Sequence, residues 1–255
     1  MLAAAYLSRY FYKTQDEMQA EYYALLAIPW LLDHAQTENP YAQVNLGRYY
    51  EDGICVPQSF TVARLHYQHA AELGEINAMR YLAMLFDAGL GMKPDKPKAL
   101  RWYTRGAELG DAGAMANIGI MYRDGEGVEV NYEEAMKWYQ KGAALGELNC
   151  YAGIGHLYYF GQGVLKDHET AFRIAMHAAE LGRTESIYDV AKMYRDGHGV
   201  LQSYTNAMTW YKDAAEKGVI KAFHSVGCMH RDGQGVVANT SEAIAWFKKG
   251  ASAGN

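Results

Sequence analysis

His224 and Cys228 stand four residues apart, with His230 two further on. On a helix that spacing brings an imidazole and a thiolate to one face, as a zinc site requires. A closed site needs more ligands, and the chain has no second His/Cys cluster of similar spacing. Gly125-Glu126-Gly127, Gly161-Gln162-Gly163 and Gly233-Gln234-Gly235 resemble fragments of a dinucleotide fingerprint. That fingerprint needs a third glycine in register, a strand before it and a helix after it. Here the glycines follow helical patterns and recur at a fixed interval, so they read as turn formers. Cys55 lies in Gly53-Ile54-Cys55-Val56-Pro57, which offers no base or cation to activate a thiol. Glu133-Glu134 open a helical stretch, where carboxylates complement the helix dipole without any catalytic duty. Neither Gly-x-Ser-x-Gly nor His-Glu-x-x-His occurs. The reading is of a non-enzyme with no catalytic residue, no metal ligand and no cofactor.

The elements behind these residues are set by a rhythm. Gly74, Gly110, Gly146, Gly182, Gly218 and Gly254 are each 36 apart, as are Gly53, Gly89, Gly125, Gly161, Gly197 and Gly233. A third column reads Ala63, Ala99, Ala135, Ala171, Ala207 and Ala243. A constant period of this length marks stacked supersecondary units, which make extended binding surfaces more often than catalytic pockets. Within one period, Ala114, Ile118, Met121 and Tyr122 share a helical face, and Ala135, Trp138, Tyr139 and Gly142 share another. Two helices joined at Gly125-Glu126-Gly127 form one antiparallel hairpin. A small-residue column at Gly47, Ala83, Gly119, Gly155, Ala191 and Gly227 lets paired helices approach closely. The second helices carry Trp102-Tyr103, Trp138-Tyr139, Trp210-Tyr211 and Trp246-Phe247, replaced by His66-Tyr67 and Ile174-Ala175 in the first and fourth units. If the tryptophans are core, Trp138→Ala costs about 3–5 kcal/mol, and the loss at Ile174 makes the fourth unit the softest.

This Ala…Leu-Gly…Tyr…Gly-x-Gly-Val…Ala…Trp-Tyr…Ala-Ala…Gly pattern resembles the Sel-one-like repeat family, relatives of the tetratricopeptide repeat, from about Tyr41 to Asn255. The resemblance implies an all-α fold, a right-handed superhelical α-solenoid of antiparallel helix pairs, and a role as an adaptor that assembles protein complexes. The units fall at 41–76, 77–112, 113–148, 149–184, 185–220 and 221–255, one continuous solenoid domain. Residues 1–40 read as degenerate capping helices: Leu25 to Ala35 as a second helix, its partner within Leu2 to Lys13. The chain stops at Gly254-Asn255, where a unit finishes. The uncovered face there pairs with another chain, giving a homodimer contact, or marks a truncation.

Composition narrows the partners. The formal charge of −5 disfavours nucleic acid, which wants a basic footprint. No run of about 18 apolar residues exists to span a membrane. Three cysteines in different repeat positions argue against a disulfide scaffold and for a reducing compartment. The start, Met1 to Arg9, lacks the basic region and long apolar core of a signal peptide. The expected location is cytoplasmic.

If first helices line a concave face, as in tetratricopeptide relatives, the lining columns begin at Val44, Arg48 and Glu51 and repeat by 36. They include Ala116, and their partner-binding candidates are Arg48, Met84, Arg123, His156, Tyr159, Tyr188, Lys192, Arg195 and Arg231. These columns vary from unit to unit while the core columns barely do, and Arg and Tyr are hot-spot types. The expected ligand is a peptide or helix of another protein, its acidic end near Arg195 and Arg231. Equally, Arg123-Asp124, Arg195-Asp196 and Arg231-Asp232 could be local ion pairs worth about 0–1 kcal/mol. Two rival roles stand beside the adaptor. An enzyme, or a regulator of a cell-envelope enzyme, would want two facing carboxylates, and the lining offers only Glu51 and Asp87. A self-assembling structural protein would use the uncapped C-terminal face.

Overall fold

The computed structural model describes residues 2–254, so the expected end of the last unit at Asn255 lies outside them. Among the described residues there are fourteen α-helices and no strands. The chain divides into two compact units at Val130/Asn131. The first holds α1 (Leu2–Lys13), α2 (Glu17–Gln36), α3 (Pro40–Asp52), α4 (Phe60–Glu72), α5 (Ile76–Ala88), α6 (Lys96–Glu108) and α7 (Ala112–Asp124). The second holds α8 (Tyr132–Ala144), α9 (Leu148–Phe160), α10 (His168–Glu180), α11 (Thr184–Asp196), α12 (Tyr204–Glu216), α13 (Ile220–Asp232) and α14 (Thr240–Ala253).

The helix ends explain the glycine columns. Each repeat's first helix, α3 through α13, stops at a glycine in the left-handed region, from Gly53 (φ 75°) to Gly233 (φ 69°), whose N–H bonds the carbonyl four residues back. The next N–H reaches five back, as Leu90 does to Leu85 and His198 to Met193. The second loop glycine has a further reason. A Cβ on Gly199 would lie 1.9 Å from the His168 carbonyl oxygen, and one on Gly235 2.7 Å from Tyr204 backbone. Each loop thus rests on the start of the preceding second helix. Cys55 takes this position in the first repeat at φ 55°. The loop closes where the residue opening the second helix donates its N–H to the last aromatic position of the first, as Asp95 does to Phe86 (2.8 Å) and Ser203 to Tyr194 (2.9 Å). The side chains of Ser59, Asp95, Asn131, Asp167, Ser203 and Asn239 then cap the second helices.

The terminal pair departs as expected, but α2 is longer than Leu25 to Ala35. It begins at Glu17 because Asp16 caps it by accepting from the Gln19 N–H, and it runs through Pro29. No Gly-x-Gly turn joins α1 to α2; Gln15 takes the positive φ instead.

One expectation about the core is overturned. The buried aromatic of the second helices is the tyrosine: Tyr67, Tyr103, Tyr139 and Tyr211 are at most 1% exposed. The tryptophans are only partly buried, and Trp102, Trp138 and Trp246 each carry a cation over the ring. Lys141 Nζ lies 4.3 Å from the Trp138 ring centroid, and Lys249 Nζ 4.6 Å from that of Trp246. Neighbouring positions on a helix differ by about 100°, so only one can face the partner helix squarely. In the first repeat His66 replaces tryptophan and bonds the buried Gln43, whose Nε2 reaches the Ala35 carbonyl.

The tyrosine column is what the small column serves. A Cβ on Gly47 would stand 2.6 Å from Tyr67 Cε1, and one on Gly227 2.4 Å from Phe247 Cε1. In the fourth repeat the equivalent second-helix residue is Ala175. A Cβ on Gly155 would meet nothing closer than Ile174 Cγ2 at 3.5 Å. The loosened packing there comes from Ala175 in the tyrosine column, not from Ile174 in the tryptophan column.

Candidate binding surface

In the first unit, Arg48 of α3 and Arg80 of α5 both stand over the Tyr81 ring, each guanidinium carbon 5.1 Å from its centroid. Arg80 is anchored by Asp111 at 2.8 Å. Met84 is 43% exposed on α5. Arg123 of α7 is bound by its neighbour Asp124 through two bonds of 2.7 and 2.6 Å. Two lining positions are corrected. Val44 and Ala116 are buried, at 7% and 3% exposed, so neither presents a free side chain. Glu51 is engaged too: it accepts from the Tyr67 hydroxyl. Burial is the larger influence and raises its pKa.

In the second unit, six candidates lie on α9, α11 and α13. His156 is half-buried, its ring 4.5 Å from that of Phe160. The Tyr159 hydroxyl bonds His198 Nδ1 at 2.6 Å, and its ring stacks on His168 at 4.7 Å. Tyr188 packs 5.2 Å from Tyr211, its hydroxyl 3.3 Å from Ser225 Oγ, with Lys221 Nζ 4.2 Å above its ring. Lys192 is exposed and forms no ion pair among the described residues. Arg195 holds Asp196 at 2.7 and 3.0 Å, and Arg231 holds Asp232 at the same two distances. These hydrogen bonds lower both aspartate pKa values and raise those of the arginines, so all four groups are charged at neutral pH. Such pairs fix the arginine forks and leave a local dipole at the surface instead of a bare positive charge.

The tempting chemistry does not assemble. His224 approaches Cys228 Sγ at 3.7 Å, but no group of three or more His, Cys, Asp or Glu side chains among the described residues could hold a metal. His230 is buried in the aromatic column, and Cys150 is buried with its thiol pushed up to about 12. Burial and then Glu21 raise the Cys55 thiol as well, the opposite of activation.

Sequence reasoning missed a set of contacts between successive repeats. The first residue of a second helix meets the middle residue of the next loop, thirty positions on. Lys96 binds Glu126 at 2.5 Å, Tyr132 meets Gln162 at 3.3 Å, and the rings of His168 and His198 lie 4.7 Å apart. A 30-residue offset read alongside the 36-residue period would have paired them. The periodic reading also passed over the cations of α6.

No helix among the described residues is long and apolar enough to cross a membrane. A search of the curated proteins finds no match. Among solved structures, the chain is similar to a Sel1 repeat protein from Oxalobacter formigenes, with 29% identity over 97% of this chain and 96% of that one and a TM-score of 0.77. It is also similar to a protective antigen of uropathogenic Escherichia coli that displays an SLR fold, with 30% identity, 89% of this chain covered and a TM-score of 0.74. This chain spans about half (49%) of that antigen's length. An immunity protein from Pseudomonas aeruginosa shares the fold at 20% identity, 81% of each chain and a TM-score of 0.57. The Sel1 repeat family model matches six times, at residues 40–75, 76–111, 112–147, 149–182, 184–219 and 224–255. The all-α architecture and its repeats agree with these matches throughout, and the chain belongs to the Sel1 repeat family.

Proposed function

We propose that the chain is a non-catalytic scaffold that holds a partner protein on the first-helix side chains of its second unit. Sel1 repeat proteins typically mediate protein–protein interaction. The observation that carries the finer reading is the setting of Tyr188. Its ring is fixed by Tyr211, Ser225 and Lys221, and the exposed ammonium of Lys192 stands one helical turn away on α11. A rigid aromatic beside an unpaired cation binds with little ordering cost, which is what makes Tyr and Arg frequent anchors. Tyr159 and His156 extend this surface on α9, and Arg195 and Arg231 border it with oriented guanidiniums. The partner is a peptide or helix with acidic groups for Lys192. Affinity capture from source lysate should lose a partner when Lys192, Arg195 and Arg231 are reversed to glutamate together. Equal capture by both forms would refute the assignment.

A second reading is supported by the groove between α13 and α14. It measures about 490 Å³ and is lined by Ile220, His224, Phe247, Gly250 and Ala251 among others. A second copy seated there would make the protein self-associate. Light scattering across a concentration series separates the two readings, since only this one predicts a mass that grows with concentration.

A further inference from the structure

Helix α6 breaks the charge pattern of its counterparts. Three positions on one face, which recur in every second helix, carry Lys98, Arg101 and Arg105. The same positions read Val62, Leu65 and His69 in α4 and Glu134, Lys137 and Lys141 in α8. They read Thr170, Arg173 and His177 in α10 and Asn206, Thr209 and Asp213 in α12. In α14 they are Glu242, Ala245 and Lys249, so α6 alone is basic at all three. In α8 the acid neutralises a neighbour, with Glu134 binding Lys137 at 2.6 Å. In α6 that acid is itself a lysine.

The substitution works against the helix. The first turn of α6 has no acidic residue and carries Lys96 and Lys98, where the dipole favours negative charge. Lys96 is compensated by Asp87 and Glu126 at 2.7 and 2.5 Å. Lys98, Arg101 and Arg105 are exposed and have no ion-pair partner among the described residues. Their neighbours are aromatic: Lys98 Nζ lies 4.5 Å from the Phe86 ring centroid, and the Arg105 guanidinium 5.4 Å from that of Trp102. Lys98, Arg101, Trp102 and Arg105 line one open groove of about 310 Å³.

We infer that this groove is a second docking site, separate from the first-helix surface of the other unit, and that it takes a short acidic segment of a protein bearing an apolar side chain. Seven residues of helix separate Lys98 from Arg105, roughly 10 Å, which three carboxylates on a short peptide can match. The half-buried Trp102 ring between them offers the apolar contact. A nucleic acid fits less well, because the chain's net charge of −5 repels a long polyanion on either side of so small a patch.

The test is fluorescence anisotropy with a labelled peptide of glutamates around a central phenylalanine. A variant reversed at Lys98, Arg101 and Arg105 (K98E/R101E/R105E) should bind at least about tenfold more weakly than the unaltered protein at low salt. Reversal of Lys137 and Lys141, exposed on α8 and in neither site (K137E/K141E), should leave binding as in the unaltered protein, which separates a site on α6 from a general effect of charge. Trp102→Ala should weaken binding even in salt that screens the charges. Circular dichroism checks folding, and the milder R101Q/R105Q variant should show an intermediate loss. Failure of the unaltered protein to bind the peptide, equal binding by the triple variant, or equally tight binding of a DNA oligonucleotide of matched charge would each overturn the inference.

Discussion

Gly47 and Gly155 occupy the same column of the repeat, and alanine should affect them in opposite directions. At either helical position, replacing glycine gains about 1 kcal/mol of helix propensity. At Gly47 the new methyl would lie 2.6 and 2.7 Å from Tyr67 Cε1 and Cδ1. Tyr67 is fully buried and its hydroxyl is held by Glu51, so the ring has nowhere to swing. Overpacking of that kind costs about 1–3 kcal/mol, and once the propensity gain is subtracted the balance is a loss of up to roughly 2 kcal/mol. At Gly155 the nearest atoms are Ile174 Cγ2 at 3.5 Å and the Ala171 carbonyl oxygen at 3.8 Å, ordinary contacts. Gly155→Ala should therefore stabilise by roughly 0.5–1 kcal/mol. Two residues earlier on the same helix, Gly153 faces Tyr139 ring atoms at 2.5 to 2.7 Å, and Gly153→Ala should destabilise as Gly47→Ala does. Urea unfolding followed by circular dichroism reads the sign. Hydrogen exchange on peptides from each unit locates the change, since repeat arrays need not unfold in one step. A destabilising Gly155→Ala of the same size as Gly47→Ala would refute the claim that Ala175 releases this position.

Other consequences follow from the same packing. Tyr139→Ala should cost about 3–5 kcal/mol by urea unfolding, the range for large buried side chains, and Trp138→Ala less, because part of its ring is already in water; the reverse order would mean the tryptophans form the core. Glu51 has its pKa raised chiefly by burial. A carboxyl that binds its proton more tightly when folded loses stabilising effect as pH rises from the ordinary value, about 4.3, through its folded value. Glu51→Gln should then flatten the decline in stability between acid and neutral pH, and an unchanged profile of the urea midpoint would argue against it. Lys96→Met leaves Asp87 and Glu126 without their shared cation. Faster hydrogen exchange should appear in the Gly125–Val128 loop, with that in α3 unchanged.

Much of the fold was legible because one unit is written six times. The glycine columns gave the hairpin turns, whereas the Ser, Asp or Asn that caps each second helix recurs at the same period and was passed over. The Trp-Tyr pair misled because both members are apolar and adjacent, and periodicity does not say which points inward. Val44 and Ala116 misled because a variable column looks free even when two of its members are small enough to be covered. The arginine-aspartate steps were visible as pairs, but side-chain geometry was needed to see that each fork closes on its own neighbour. The α6 cations were visible in the sequence, and their significance required knowing that Phe86 and Trp102, not carboxylates, stand next to them.

Photo-crosslinking from α11 tests the central claim most directly. A benzophenone amino acid in place of Lys192 should capture a partner protein in source lysate. The same group in place of Thr209, exposed on α12, should capture none. The captured band should vanish when Arg195 and Arg231 are reversed. Capture from position 209 alone, or from neither, would contradict a partner seated on the first-helix surface of the second unit.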